Sequence, residues 1–276
     1  MIEERTQQGA WIALFGALFG IIGFLILFVS EWHTMWYAKA SMDRPDESFI
    51  VTYIIPTLND IGLIGSVVLA VAAFGFFKKQ SWAWGVAMLG LVLMIQGSFF
   101  PMIPAASAGV APWYGILYVP IMVLYFVMAM YVRNLSGKLV GLSLLGGMAY
   151  VLTFMNGIAA TNRIWMSIQD YGLGNPVYVV AERLNWYAAI AWGVFVVALF
   201  LQQKWAVPVG IGAGIMGIIG GTPVAYLSMV DQGGFSMFIP GPALSAALLI
   251  YLLLPSGQEF VYNWAESKYE GKSVGM

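Results

Sequence analysis

Eight runs of about twenty apolar residues constrain this chain more than any other feature. They lie at roughly 10–30, 53–77, 84–103, 113–132, 139–160, 186–203, 206–228 and 235–254. A bilayer core about 30 Å thick takes about 20 residues of helix to cross. In hydrocarbon, only helices and closed barrels satisfy their own backbone polar groups, and uninterrupted runs of this length read as helices. Composition agrees: 61% of residues are hydrophobic and 9% charged, with mean hydropathy +0.82, against about 45–50% and about 25% in soluble domains. The expected fold is an all-α polytopic membrane protein of about eight transmembrane helices. Glu3 and Glu4 precede the first run and no small-residue cleavage site follows it, so it reads as a retained helix.

The same inventory excludes several function classes. The chain has no cysteine and one histidine, His33. Thiolate zinc sites, iron–sulfur clusters and bis-histidine haem are therefore out of reach within one chain. A net charge of −1 offers no basic surface for nucleic acid. Nucleophile–base pairs, carboxylate dyads and phosphate-cradling loops do not stand out either. The expectation is a chain with no catalytic residue, no bound metal and no cofactor, whose partners are the lipid bilayer and other membrane subunits or further copies of itself.

Lysine and arginine set the orientation. With eight spans, one side carries Arg5, Lys78, Lys79, Arg133, Lys138, Lys204, Lys268 and Lys272, and the other Lys39, Arg44, Arg163 and Arg183. The positive-inside rule then places both termini in the cytoplasm of a cell-membrane protein. Two long connections, 31–52 and 161–185, fall outside.

Sliding the chain against itself by 126 positions aligns Val51, Leu58, Asn59, Ile64, Val68, Val71, Ala72, Phe74 and Lys78 with Val177, Leu184, Asn185, Ile190, Val194, Val197, Ala198, Phe200 and Lys204. The order of elements repeats as well. This predicts a duplication into two parallel four-helix repeats, 1–134 and 135–256, related by an axis along the membrane normal. Residues 257–276 form a cytoplasmic tail. There, Phe260 and Trp264 share one helical face, while Glu259, Glu266 and Glu270 point elsewhere, which predicts a short amphipathic helix on the inner surface or docked against the bundle. The stretches Asp60 to Met88 and Glu182 to Met216 resemble the layout of the four-helix DoxX-like membrane proteins: a first span, an outer segment, then two spans joined by a basic turn. The likeness covers about thirty residues per half and rests on glycine, alanine and leucine.

Small residues are the expected packing surface, because lipid gives helices no hydrophobic reason to associate. Gly210, Gly214, Gly217 and Gly221, and Gly16 and Gly20, stand four or fewer residues apart on helical faces. Pro223, after Thr222, is expected to kink its span. Ionisable groups inside spans are rare. The nearest are Asn59-Asp60 and Glu182-Arg183-Leu184-Asn185, at the outer ends of the second and sixth spans. They read either as caps and an interfacial Asp60–Arg183 ion pair or as a ligand site roofed by Trp36 and Trp165. Gln96 and Asn156 lie deep in their spans and read as interhelical bridges or as hydrogen-bonding partners of a quinone-like carbonyl. His33 beside Glu31 reads as an interfacial residue.

Three functional readings follow. The first is a non-catalytic structural or accessory subunit of a larger, energy-converting membrane complex. The second is a small carrier for a neutral or lipophilic solute, and the third a quinone-binding redox subunit.

Overall fold

A computed structural model describes residues 2–41, 50–171, 176–232 and 234–267. Helix makes up 87% of the chain. The elements are α1 (Ile2–Ala40), α2 (Ile55–Phe77), α3 (Ala83–Phe99), the short α4 (Met102–Ser107), α5 (Gly115–Phe126), α6 (Gly137–Tyr171), α7 (Pro176–Phe200), α8 (Ala206–Gln232), α9 (Pro240–Leu253) and α10 (Pro255–Glu266). A π-helical turn, Ile50–Ile54, leads into α2, and another, Val127–Val132, ends α5. Seven helices are long and apolar enough to cross a membrane, or eight if the bent pair α9–α10 counts as one span. The chain divides into two compact units, residues 1–140 and 141–274.

Two expectations change. The connections at 31–52 and 161–185 are largely helix: α1 runs on to Ala40, α6 to Tyr171, and α7 begins at Pro176. Hydropathy falls after residue 30, but 31–40 contains neither glycine nor proline, and helix propensity does not require apolar residues. At 39 residues, α1 is about 58 Å long at 1.5 Å per residue, nearly twice the hydrocarbon thickness. The eighth run also differs, because α9 has only 14 residues before the chain bends by 77° into α10.

In the first unit, α2 packs extensively on both α1 and α3. The α2–α3 crossing is a backbone-to-backbone contact. A Cβ on Gly65 would sit 2.7 Å from the Gly90 carbonyl oxygen, one on Gly90 would sit 2.8 Å from that of Gly65, and one on Gly97 would sit 2.7 Å from Gly62 Cα. The α2 and α3 backbones therefore touch, and no other residue fits at these crossings. Gly16 packs on Leu124 and Leu69, and Gly20 on Ser66 and Met94. The opposite face of α1 exposes Trp11, Phe15, Leu18, Ile22, Leu25 and Val29. This continuous apolar stripe fits lipid and would be an aggregation surface in water.

In the second unit, α8 packs on α7 and α9. Gly210 meets Leu252 and Phe195, Gly214 meets Leu249, and Gly221 meets Pro242, so the glycine run of α8 is a packing face. Helix α8 continues through Pro223, and Thr222 is exposed. The amphipathic tail is helix α10, which buries Gly257, Val261 and Ala265 and is tied to the α7–α8 turn through Trp264 and Ser267. Trp264 Nε1 donates to the Leu199 carbonyl (2.7 Å), and Gln202 Nε2 donates to the Trp264 carbonyl (3.1 Å) and to Ser267 Oγ (3.0 Å). An exposed Lys204–Glu266 ion pair (2.7 Å) flanks them. Such pairs contribute about 0–1 kcal/mol, so the three indole- and amide-mediated bonds are the stronger clamp. Lys268, Lys272, Glu270, Arg44 and Asp46 lie outside the described residues.

The turns joining α2 to α3 and α7 to α8 have the same backbone hydrogen bonds at a spacing of 123. Lys78 N, Lys79 N and Gln80 N donate to the carbonyls of Phe74, Phe76 and Gly75; Leu201 N, Gln202 N and Gln203 N donate to those of Val197, Leu199 and Ala198. The side-chain amides repeat this, Gln80 Nε2 donating to the Lys78 carbonyl and Gln203 Nε2 to that of Leu201. Phe77, Gln80, Trp82, Ala83 and Val86 recur as Phe200, Gln203, Trp205, Ala206 and Val209. Lys79 and Gln202 both have φ 55, the left-handed conformation that terminates helices and normally falls to glycine. An L-residue there costs about 1–2 kcal/mol. Lys79→Gly should therefore raise stability by about 1–2 kcal/mol, read as a higher thermal unfolding midpoint in detergent; an unchanged or lower midpoint would contradict the left-handed turn.

Candidate functional site

The first unit gathers its polar residues at the end where α1 finishes and α2 begins. Trp32 Nε1 donates to the Val51 carbonyl (2.8 Å) and Trp36 Nε1 to Thr52 Oγ1 (3.0 Å). Trp36 therefore ties α1 to the start of α2. These bonds follow from α1 continuing as helix, which keeps both indoles, four residues apart, on the face toward α2. His33 is exposed, its ring 5.1 Å from that of Trp32 and 6.2 Å from that of Tyr37. Asn59 is buried and accepts a long hydrogen bond from Tyr114 Oη (3.4 Å), whereas the next residue, Asp60, is exposed. One step along a helix turns a side chain by about 100°, which separates the two neighbours. Gln96 on α3 is fully buried, and neither its Oε1 nor its Nε2 has a partner.

The second unit holds a denser cluster. Glu182 on α7 receives hydrogen bonds at Oε1 from Trp186 Nε1 (3.1 Å) and Thr161 Oγ1 (3.4 Å). Trp186 also covers Gly157 of α6, 3.2 Å from where a Cβ would lie. Arg183 is exposed, and Asn185 is fully buried with its Nδ2 donating to the Ala181 carbonyl (2.8 Å). Asn156 is fully buried too; its Nδ2 donates to the Phe238 carbonyl (3.2 Å). Pro242, four residues on, has no N–H to close a helical bond on that carbonyl, so the Asn156 amide replaces the missing donor. Deeper still, Trp192 Nε1 donates to Ser245 Oγ (3.3 Å). Trp165 lies in α6, but its side chain is outside the described residues.

Structure thus brings Glu182, Asn185 and Asn156 into one neighbourhood, which the sequence order did not indicate. Counted at the 123-residue spacing of the two hairpin turns, Asn59 falls on Glu182 and Gly62 on Asn185. At the crossings, Gly97 abuts Leu58 and Gly62, and Gly220 abuts Asn185. Tyr114, Thr161, Trp186 and Ser245 were missed. Only Trp186, four residues after Glu182 on one helical face, carried a readable signal.

Among the described residues no three His, Asp or Glu side chains converge as metal ligands. No family model matches the chain, and neither a curated protein nor a solved structure does. The DoxX-like layout therefore stands as a likeness of two stretches.

Leaving a buried hydroxyl or amide unpaired costs about 1–3 kcal/mol, whereas removing both partners is nearly neutral. Asn59→Leu should therefore destabilise by about 1–3 kcal/mol, and Asn59→Leu with Tyr114→Phe by less than the sum of the single changes. A double-mutant cycle on thermal unfolding measures this, and strict additivity would show that the 3.4 Å bond contributes nothing.

Proposed function

We propose that this chain is a multi-pass integral membrane protein serving as a non-catalytic structural or accessory subunit of a larger membrane complex, with energy-converting complexes the class in view. Its seven or eight long apolar helices are consistent with membrane integration. The observation that carries the subunit reading is the use made of buried polar side chains. Trp84 Nε1 donates to the Met128 carbonyl, Trp192 to Ser245, Asn156 to Phe238, and Tyr114 to Asn59; Ser66 and Thr153 bond back into their own helices. These groups fix helix to helix, as buried polar residues do where lipid supplies no driving force.

The duplication belongs to the same proposal. Its support is the repeated turn at 123 residues and a crossing that recurs at that spacing: Gly97 against Gly62 in the first hairpin, and Gly220 against Asn185 in the second. A two-repeat chain presents similar outer faces twice, which suits assembly with neighbouring subunits or a second copy. The carrier for a neutral or lipophilic solute is the second reading, favoured by the side-chain oxygens of Asn156 and Asn185, which have no donor.

Extraction in mild detergent followed by native mass spectrometry separates these readings. Stoichiometric copurifying membrane proteins are the expected result; a self-only oligomer that moves solute across liposomes would replace the subunit reading with the carrier.

Orientation is proposed with both termini cytoplasmic, supported by the basic groups of the first unit. Arg5 lies over Tyr131 and Arg133 over Trp84, and Lys78 and Lys79 occupy the nearby α2–α3 turn, at the end away from Trp32 and Trp36. Because the chain has no cysteine, a single one reports cleanly. An impermeant external reagent should label His33→Cys in intact cells and spare Lys79→Cys; the reverse pattern would invert the topology.

A further inference from the structure

At one end of the first unit, three elements meet at Gly9. A Cβ added there would lie 3.0 Å from Val132 Cγ1 and 3.5 Å from Phe76 Cε1, so α1, the π-helical end of α5 and the end of α2 converge. Two side-chain bonds hold this end together. Tyr131 Oη donates to Gln8 Oε1 (2.8 Å), and Trp84 Nε1 of α3 donates to the Met128 carbonyl (3.0 Å). Each of the three elements becomes basic where its apolar span stops. Arg5 begins the span of α1, Lys78 and Lys79 follow Phe77, and Arg133 follows Val132.

Aromatic rings position these cations without neutralising them. The Arg5 guanidinium carbon lies 5.6 Å from the centre of the Tyr131 ring, that of Arg133 lies 5.7 Å from Trp84, and Lys78 Nζ lies 5.9 Å from Phe74. A ring face attracts the charge but occupies none of the N–H donors of a guanidinium or ammonium. Among the described residues, no carboxylate pairs with Arg5, Lys78 or Arg133; the side chains of Glu3 and Glu4 lie outside that set. The second unit treats the matching turn differently. There Leu201 and Gln202 stand in place of Lys78 and Lys79, and Gln202 ties the turn to Trp264 of α10 and to Ser267. Its lysine, Lys204, is paired with Glu266. The first unit instead exposes Lys78, Lys79 and Arg133. Apolar surface continues along the same spans, where Trp11, Phe74, Phe77 and Met130 are exposed.

We propose that this end of the first unit binds the headgroup of an anionic phospholipid, with Arg5 and Arg133 as phosphate ligands and Lys78 and Lys79 adding charge. The planar fork of arginine matches phosphate with two parallel hydrogen bonds. The headgroup carries a net negative charge, because the cations gathered here have no described counter-charge; a zwitterionic headgroup brings a cation of its own. The ligand carries acyl chains, because exposed apolar faces adjoin the cations, a combination that a soluble anion or an acidic peptide does not match. Each Lys or Arg near a membrane surface contributes about 1 kcal/mol of attraction to anionic lipid. The proposal rests on the membrane reading and goes beyond the subunit reading.

The test titrates the full chain in mild detergent with phosphatidylglycerol or phosphatidylcholine of one acyl composition, and native mass spectrometry counts the lipid retained. Phosphatidylglycerol should bind about tenfold more tightly or better, since more than one cation contributes. Arg5→Gln and Arg133→Gln should each weaken its binding about fivefold, the equivalent of about 1 kcal/mol per charge, with phosphatidylcholine unaffected. Arg133→Lys, which keeps the charge, should retain most of the preference, and Lys204→Gln in the second unit should leave it intact. Equal affinity for the two lipids would overturn the proposal, as would an undiminished preference after both arginines are replaced by glutamine. If inorganic phosphate or polyglutamate displaces the lipid where sodium chloride of equal ionic strength does not, the patch serves a soluble anion or an acidic protein, and the proposal falls. A chain that does not float with vesicles of either lipid would overturn the membrane reading and this proposal together.

Discussion

A peptide group that enters hydrocarbon has no water to bond, so each span must satisfy its own backbone before anything else can be arranged. That requirement makes every long apolar run here a helix, and it removes the hydrophobic effect as a reason for those helices to meet. What remains is close packing and a small number of polar ties. The contact between Gly65 and Gly90 shows the first: each glycine lies under the other's carbonyl, where any Cβ would collide. The Asn156 amide on the Phe238 carbonyl shows the second. There a proline has created an unpaired acceptor, and a side chain from another helix repairs it.

The same logic explains why the polar residues divide as they do. Asp60 and Arg183 are exposed, while their neighbours Asn59 and Asn185 are buried. These two charged groups stay outside the helix contacts because the interior supplies few partners; Glu182 enters the α6–α7 contact with donors from Thr161 and Trp186. The amides of Asn156 and Asn185 enter with one half satisfied by a backbone carbonyl. The cost of that solution is the other half. Asn156 and Asn185 each keep a buried oxygen without a donor.

Indole side chains are the other recurring device. Trp32 and Trp36 fasten the end of α1 to the start of α2, Trp84 fastens α3 to the end of α5, Trp186 closes α6 on α7, and Trp264 fastens α10 to the α7–α8 turn. Each buries a large apolar body while its single N–H finds one acceptor. Aromatic residues at membrane interfaces are usually read as a belt facing lipid headgroups; in this protein several of them are structural ties.

By itself the sequence determined the class of fold, the approximate position of the first seven long apolar helices, the packing role of the α8 glycines and the amphipathic α10, because these depend on local hydropathy and residue size alone. It misplaced the ends of α1, α6 and α7, since hydropathy marks where lipid ends and not where a helix ends; Gly172, Gly174 and Pro176 carried that signal instead. Only the tertiary structure decided that Gly62 and Gly97 cross in direct backbone contact, and that Asn156 and Asn185 meet consecutive glycines of α8. Those facts depend on the register of one helix against another. Register is set by the summed fit of small residues along a crossing, which no single stretch of sequence displays.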